Sequence, residues 1–431
     1  MRNKINSIKD LCEFIWYLET KYNLLDFEIN GVKPWLAYRI EIYYIIGKSC
    51  NVFDKSLKRR LSLSQKISAM LIVFWNSIRY NPLLNLRKVD NLVFSHPRSK
   101  KYNGEFIDIY THFLIDEIKE NEQSYLEMEL YHEANHIRPL HSDKRYLDYL
   151  SVMKNIKRLF SSNNLSETDI DFISKVEEEI ESKVGIFVDL SSLFKRYVVD
   201  FKVSYNIYKK ILIKTKPSRI YVVVAYGRPE MIKAAKELDI EVIELQHGTF
   251  SKYHLGYSFP SSNNMLYFAD KFYVWNDFWK ELIAFPIISE NVIVYPSQYM
   301  MVELEKYKDV IKVRNQMLII GQAGITGKII DLINKNLNYF IGFKIILKLH
   351  PHEYSVKKTK EILNLEKVLD FTIVKDIDLY SLFAQSEFQA GVFSTALYEG
   401  LEFKCKTILF NLPGIEYMER FIELNKVKII N

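Results

Sequence analysis

Four short segments gather residue types that can move a proton or hold a phosphate, and each follows an apolar run. Gln246-His247-Gly248-Thr249 follows Glu241–Leu245. An imidazole there titrates near neutrality and can act as a general base toward a hydroxyl, and Gly248 lets the backbone turn sharply beside it. In Leu347-Lys348-Leu349-His350-Pro351-His352, strand alternation puts Lys348 and His350 on one face. Pro351 stops the strand, and either cation can bind a nucleotide phosphate. In Gly391-Val-Phe-Ser394-Thr395-Ala-Leu-Tyr-Glu399-Gly400, Ser394 or Thr395 caps the next helix. Hydroxyls and N–H groups at a helix start cradle phosphate, and Glu399, one turn in, is placed to accept from a ribose hydroxyl. Gly321-Gln322-Ala323-Gly324 lacks both the G-x-G-x-x-G spacing and the Lys-Ser/Thr of a P-loop. Gly321 and Gln322 are read as contacts to a diphosphate or sugar. Each segment also has a plainer reading: a hydrogen-bonded His before a turn, a strand stopped by proline, a capped helix. Their shared placement at strand ends carries more than any one of them.

The elements that must position these segments follow from the hydrophobic pattern. Residues 1–90 read as helical, with Leu11, Phe14, Ile15, Leu18 and Tyr22 at helical spacing. The basic cluster Lys55, Lys58, Arg59 and Arg60 reads as a solvated face or as one turned to a membrane. Asn91–Arg98 reads as a strand ending in a polar loop, and 145–215 as mostly helical. Arg219–Tyr226 is a continuous apolar run, the mark of a strand buried on both faces of a parallel sheet. A helix over 229–238 and strands at 241–248, 271–275 and 292–295 follow. Polar residues over 297–314 suggest a boundary. The alternation then restarts, with strands at 317–321, 344–350, 371–374, 388–393 and 406–410, and helices at 326–336, near 355–363, at 395–401 and at the end. This predicts an α/β chain with two Rossmann-like doubly wound domains, 91–305 and 306–431, behind an N-terminal helical region, 1–90. Ligands of such folds bind at the carboxyl ends of the strands.

Composition narrows the classes. The chain has 431 residues, 48% hydrophobic and 26% charged, a globular balance. The 59 Lys and Arg against 53 Asp and Glu leave a net charge of +6, mild for a nucleic-acid binder and suited to an anionic small ligand or an acidic leaflet. Cys12, Cys50 and Cys405 are too few and scattered for a disulfide framework or a zinc site. The longest apolar run, Ala69–Trp75, is well short of the roughly 20 residues that span a bilayer. With no signal sequence visible, a cytoplasmic protein, soluble or peripheral to the inner membrane face, is expected. His132, His136 and His141 cluster near Glu133 without a clear third ligand; acceptor contact or plain surface is the preferred reading, and no metal is expected. There is no Asp-x-Asp sequence.

The segment from 219 to 431 resembles the bacterial GT-B-type transferases that build capsule, O-antigen and teichoic acid. Lys-x-His-Pro followed by Ser-Thr at a helix start resembles the nucleotide-phosphate motifs of polysialyltransferases, which use CMP-linked sugars. His-Gly-Thr with His-Pro resembles the CDP-glycerol polyol-phosphate transferases. The latter resemblance implies His247 as base and His350 as phosphate ligand. The chain departs from it at Gln246, where those enzymes usually carry Trp. The polysialyltransferases place an acidic pair before a glycine; this chain has Asn103-Gly-Glu105-Phe-Ile-Asp108, which makes Glu105 and Asp108 rival bases. The expected activity is a metal-independent, cofactor-free glycosyltransferase using a nucleotide-sugar donor and an oligosaccharide or lipid-linked glycan acceptor. The alternatives are a polyol-phosphate transferase and a non-catalytic binding protein of the same fold.

Overall fold

A computed structural model of the chain describes residues 5–53, 62–131, 136, 138–161, 165–260, 265–353, 359–424 and 427–431. The basic cluster at 55–60, His132, Glu133 and the start of the helix expected near 355 lie outside them. Among the described residues, nine strands occupy the first part of the chain: β1 (Asn91–Phe94), β2 (Ser99–Tyr102), β3 (Glu105–Asp108), β4 (Tyr125–Glu129), β5 (Lys144–Tyr146), β6 (Arg219–Val223), β7 (Glu241–Leu245), β8 (Lys271–Val274) and β9 (Val292–Val294). Six follow: β10 (Val313–Ile320), β11 (Lys344–Lys348), β12 (Asp370–Val374), β13 (Ser386–Gly391), β14 (Lys406–Phe410) and β15 (Lys428–Ile430).

Two parallel sheets result, ordered β5-β4-β1-β6-β7-β8-β9 and β12-β11-β10-β13-β14-β15. In each, the chain runs outward from the first strand, returns, and continues on the other side. That is the doubly wound order, with its crevice where the direction reverses. The crevice falls between β1 and β6 in the first sheet and between β10 and β13 in the second. The strands are apolar because helices cover both faces: β1 is buried throughout and β6 from Ile220 onward.

Three strands of the two parallel sheets depart from the sequence expectation. β4 and β5 carry buried Glu127, Glu129 and Lys144, and these charges break the apolar run that reveals other strands. The third, β15, has only three residues and adds to β14 through Ile408, Leu409 and Phe410. Asn103 and Gly104, with φ of 47° and 89°, turn the β2–β3 hairpin. Asn-Gly is the residue pair that a two-residue hairpin turn requires.

The N-terminal helices pack into the same core as the first domain's long helix Leu190–Thr215 and the segments 250–257 and 265–268. Arg39 is the fastener. It forms a buried two-pronged pair with Glu19 at 2.6 and 2.7 Å and donates to the carbonyls of Leu255 and Ser258. Cys12 reaches the Tyr253 carbonyl at 3.2 Å. Tyr43 meets Tyr417 at 3.1 Å, so the helical region touches both sheet-bearing parts. Its role is to hold the loop that follows His247. Among the described residues, no helix is long and apolar enough to cross a membrane.

Candidate functional site

The carboxyl ends of the two sheets meet. The Thr249 N–H, just past β7, donates to Thr395 Oγ1 at 3.1 Å. A side chain on Gly248 would put its Cβ 3.1 Å from that same oxygen, so glycine permits the close approach. Two links run beside it. Arg98 Nη2 lies 3.4 Å from Glu399 Oε1, and Arg98 Nη1 donates to Tyr110 Oη at 2.9 Å. Tyr110 in turn donates to the His247 carbonyl at 2.6 Å. The chain Glu399–Arg98–Tyr110–His247 therefore spans both sheets.

His247 rests on a buried base. Glu244 Oε1 accepts from the Ala225 N–H at 3.0 Å and from the Tyr257 hydroxyl at 2.7 Å. Tyr257 lies 3.4 Å from His247 Nδ1. With the Tyr257 hydrogen used on Glu244, the contact suits the tautomer protonated at Nδ1, in which the Nε2 lone pair is available. Burial holds the His247 imidazole down to about 3, with His254, His96 and Arg98 adding to the effect. The ring is therefore neutral at pH 7, the form that accepts a proton. Burial alone pushes Glu244 up to about 7 against the pull of Tyr257 and Ala225, and its Oε2 is buried without a partner among the described residues. Val224, at the β6 exit, has φ of 62°. That conformation is costly for a β-branched residue, and the Ala225–Glu244 bond follows directly upon it.

The first-domain acids do not present themselves to the cleft. Asp108 is buried, and its carboxylate accepts from the His96 N–H at 2.7 Å, the Tyr110 N–H at 3.0 Å and the Thr111 hydroxyl at 2.6 Å, with Arg138 at 3.4 Å. Burial pushes its carboxyl up, while Arg138 and those donors pull against the rise. In this structure it ties the His96–Arg98 loop to the Tyr110 segment. Glu105 is exposed at the hairpin turn, on a separate two-stranded ribbon.

A buried ionic network lies behind Asp108. Arg138 also faces Glu129 at 3.0 Å and Glu127 at 3.7 Å, and Lys144 faces the same two at 3.1 and 3.5 Å. His136 bonds Glu129 at 2.7 Å and Asp148 at 2.8 Å and stacks on Tyr146. Burial pushes both glutamates up, but the facing cations outweigh it and hold them low; the two carboxylates likewise outweigh burial at His136 and raise it. His136 is thus not surface, as its sequence neighbourhood suggests, but a core ion-pair partner. His141 is part exposed at 3.3 Å from Glu127.

The second domain offers different groups. Ser394 caps the helix Thr395–Glu402, accepting from the Ala396 N–H at 3.2 Å. Glu399 is buried; Arg98 faces one oxygen, and Oε2 is buried without a partner among the described residues. That orphan acceptor suits a hydroxyl of a ligand. Gly321 donates to the Lys348 carbonyl at 2.8 Å, and a Cβ there would sit 2.7 Å from the same oxygen. Gln322 donates its N–H to Thr326 Oγ1 at 2.9 Å, and Thr326 donates to Glu353 at 2.7 Å. These bonds lock the β10 exit to the β11 exit. Lys348 turns its ammonium to the Lys375 carbonyl, at the β12 side and away from Ser394. His350 is half-buried past β11, its carbonyl accepting from Glu353 at 2.8 Å. With β10 between β11 and β13, His350 lies roughly 10 Å along the sheet edge from Ser394, at about 4.8 Å per strand.

The structure therefore brings His247, Ser394, Thr395 and Glu399 together, with Gly321 and Gln322 at the same crevice. It adds His96, Arg98, Tyr110, Glu244 and Tyr257. One signal in the sequence pointed to the first two: Ser95-His96-Pro97-Arg98 ends a buried strand, as Leu349-His350-Pro351 does.

No family model matches the chain, and no curated protein sequence matches it. Among solved structures, UDP-GlcNAc 2-epimerase from Methanocaldococcus jannaschii aligns over 80% of this chain and 89% of its own, with 12% identity and a TM-score of 0.46. The enzyme of that name from Neisseria meningitidis, bound to UDP-GlcNAc, aligns over 78% and 86%, with 14% identity and a TM-score of 0.44. The wall teichoic acid polymerase TagF aligns over 81% and 80%, with 12% identity and a TM-score of 0.35.

Proposed function

We propose that this chain is a glycosyltransferase that moves a sugar from a nucleotide carrier to a hydroxyl of a growing capsule or O-antigen-type polysaccharide. One observation carries the reading: a neutral, buttressed imidazole, His247, stands where the first sheet's edge meets the capped helix start Ser394–Thr395. The acceptor hydroxyl gives its proton to His247 Nε2 as its oxygen bonds to the anomeric carbon. The bond from that carbon to the nucleotide phosphate breaks, and its electron pair goes to the phosphate oxygen. Ser394, Thr395, the helix N–H groups and Arg98 meet the developing charge, so the scheme calls on no metal or cofactor. Gln322, Gly321 and His350 line the donor edge, and Glu399 Oε2 takes a ribose hydroxyl. Arriving phosphate adds a negative charge beside His247 and raises its pKa from about 3, strengthening it as a base when the donor is bound.

The test separates chemistry from binding. His247→Ala is expected to cut turnover about 10²- to 10⁴-fold while nucleotide affinity by calorimetry stays near that of the parent. His350→Ala is expected to weaken nucleotide binding. Near-normal turnover in His247→Ala overturns the assignment of the base. Product analysis decides the chemistry: a sugar joined through its anomeric carbon supports the reading, and a phosphodiester product makes the chain a polyol-phosphate transferase.

A further inference from the structure

The helix Leu63–Arg79 is built inside out. Ser62 caps it in a reciprocal box with Gln65, so its start is well defined. Its protein-facing residues are small or polar: Ala69, Val73, Asn76 and Ser77, at helical spacing. Ser77 is the one residue of the helix that is fully buried, and Asn76 donates to Asp148 at 3.2 Å. The large apolar residues Ile67, Met70, Leu71, Phe74, Trp75 and Ile78 face outward, with Met70 72% and Trp75 63% exposed. A helix recruited to a core buries its large side chains and exposes its polar ones; this one does the reverse. The adjacent helix Asp148–Phe160 ends in Leu159 and Phe160, 80% and 82% exposed. The outward stripe of Leu63–Arg79 is itself an apolar surface of a kind that soluble monomers seldom leave uncovered.

Charge identifies the occupant. From residue 54 to residue 80 the sequence holds one acidic residue, Asp54, against Lys55, Lys58, Arg59, Arg60, Lys66 and Arg79. Two copies of the helix Leu63–Arg79 packed together would bring Lys66 and Arg79 together with no acidic residue of the helix between them. An acidic leaflet offers the opposite sign, and basic residues beside a Trp- and Phe-bearing apolar stripe are the makeup of helices that lie in a membrane interface. We propose that the outer face of Leu63–Arg79 docks in the plane of an anionic lipid surface. The inference rests on this face and the charge of its sequence, and stands whether or not the transfer reaction holds.

Flotation of the full chain with vesicles of phosphatidylcholine alone, or with about 30% phosphatidylglycerol, tests it. The protein is expected to float with the anionic vesicles and much less with the neutral ones. Leu71→Glu with Trp75→Glu should lower the floated fraction about tenfold, and the single change Met70→Gln should lower it in part, both with an unchanged circular dichroism spectrum and melting temperature. Trp75→Phe should float as the parent does. Absence of flotation, equal flotation on both vesicles, or full flotation of the double variant overturns the proposal. So does a concentration-dependent dimer that the double variant abolishes without any vesicle binding, which would make a second copy the occupant.

Discussion

The two sheet edges that meet at Thr249 and Thr395 are built from different materials. On the first, ionisable side chains are buried: Glu244 and Asp108 sit beneath His247 and His96, and Arg138 and Lys144 face Glu127 and Glu129 behind them. On the second, hydroxyls, backbone N–H groups and glycines predominate, and the one buried carboxylate at the crossing, Glu399, is faced by a cation lent by the first. Burial of ionisable groups sets protonation states in advance, because a low dielectric disfavours a charge without a partner. Hydroxyls and helix N–H groups leave protonation alone and recognise an anion by geometry. The contrast is the one the proposed transfer would call on, with proton handling at the first edge and phosphate holding at the second.

The most forceful way to break this comparison is to remove the charge that keeps the first edge together. Arg138→Leu leaves Asp108, Glu127 and Glu129 buried with Lys144 as the main remaining cation. It should cost about 3–5 kcal/mol, read as a shift of the urea midpoint, whereas an unshifted midpoint would mean the network does not support that edge.

A second test uses pH. Burial holds Glu244 up to about 7, against about 4.3 in an unfolded chain. Between those values the folded protein holds a proton that the unfolded chain has lost. This group's contribution therefore falls as pH rises through the interval and reaches about 4 kcal/mol against folding above it. His247 and His254, held down to about 3 and about 4 by burial, act the other way: their contribution is present above about 6.5 and lost in acid. Glu244→Gln retains the Oε1 acceptor and removes the titration. On going from about pH 5 to about pH 8, the variant should gain more stability, or lose less, than the parent, and parallel profiles would place the neutral carboxyl elsewhere.

The smallest effect sharpens the second edge. Ser394→Ala with Thr395→Ala removes a cap worth about 1 kcal/mol and the acceptor of the Thr249 bond. Nucleotide affinity should fall by at least about tenfold while the fold persists, since hydrogen bonds to charged groups contribute about 1.5–3 kcal/mol each. Unchanged affinity in calorimetry would remove phosphate from this helix start.

Much of the architecture was legible because its signal is local. Arg219–Val223, Glu241–Leu245 and Lys344–Lys348 are continuous apolar runs, and helices cover both faces of the sheets they form. His247 and the Ser394–Thr395 pair were legible for a related reason: a titratable or capping residue directly after such a run stands at a strand's carboxyl end. The strands β4 and β5 escaped notice because the partners of Glu127 and Glu129, namely Arg138 and Lys144, come from residues ahead in the chain. The surroundings of Asp108 were hidden for the same reason. Its donors at His96, Tyr110 and Thr111 exist only once the loop is folded.

The sequence by itself determined where strands end and which side chains stand there, since both depend on periods of two and 3.6 residues along one chain. Only the tertiary structure decided which of those ends meet, which imidazole is neutral, and which apolar helix face is left outside. Ala69–Trp75 reads as an apolar run in any context, and only its packing, through Ala69, Val73, Asn76 and Ser77, shows that the large side chains point away from the core. Burial and proximity are properties of segments far apart in the chain, such as Gly248 beside Thr395 and Arg98 beside Glu399, and no local pattern encodes them.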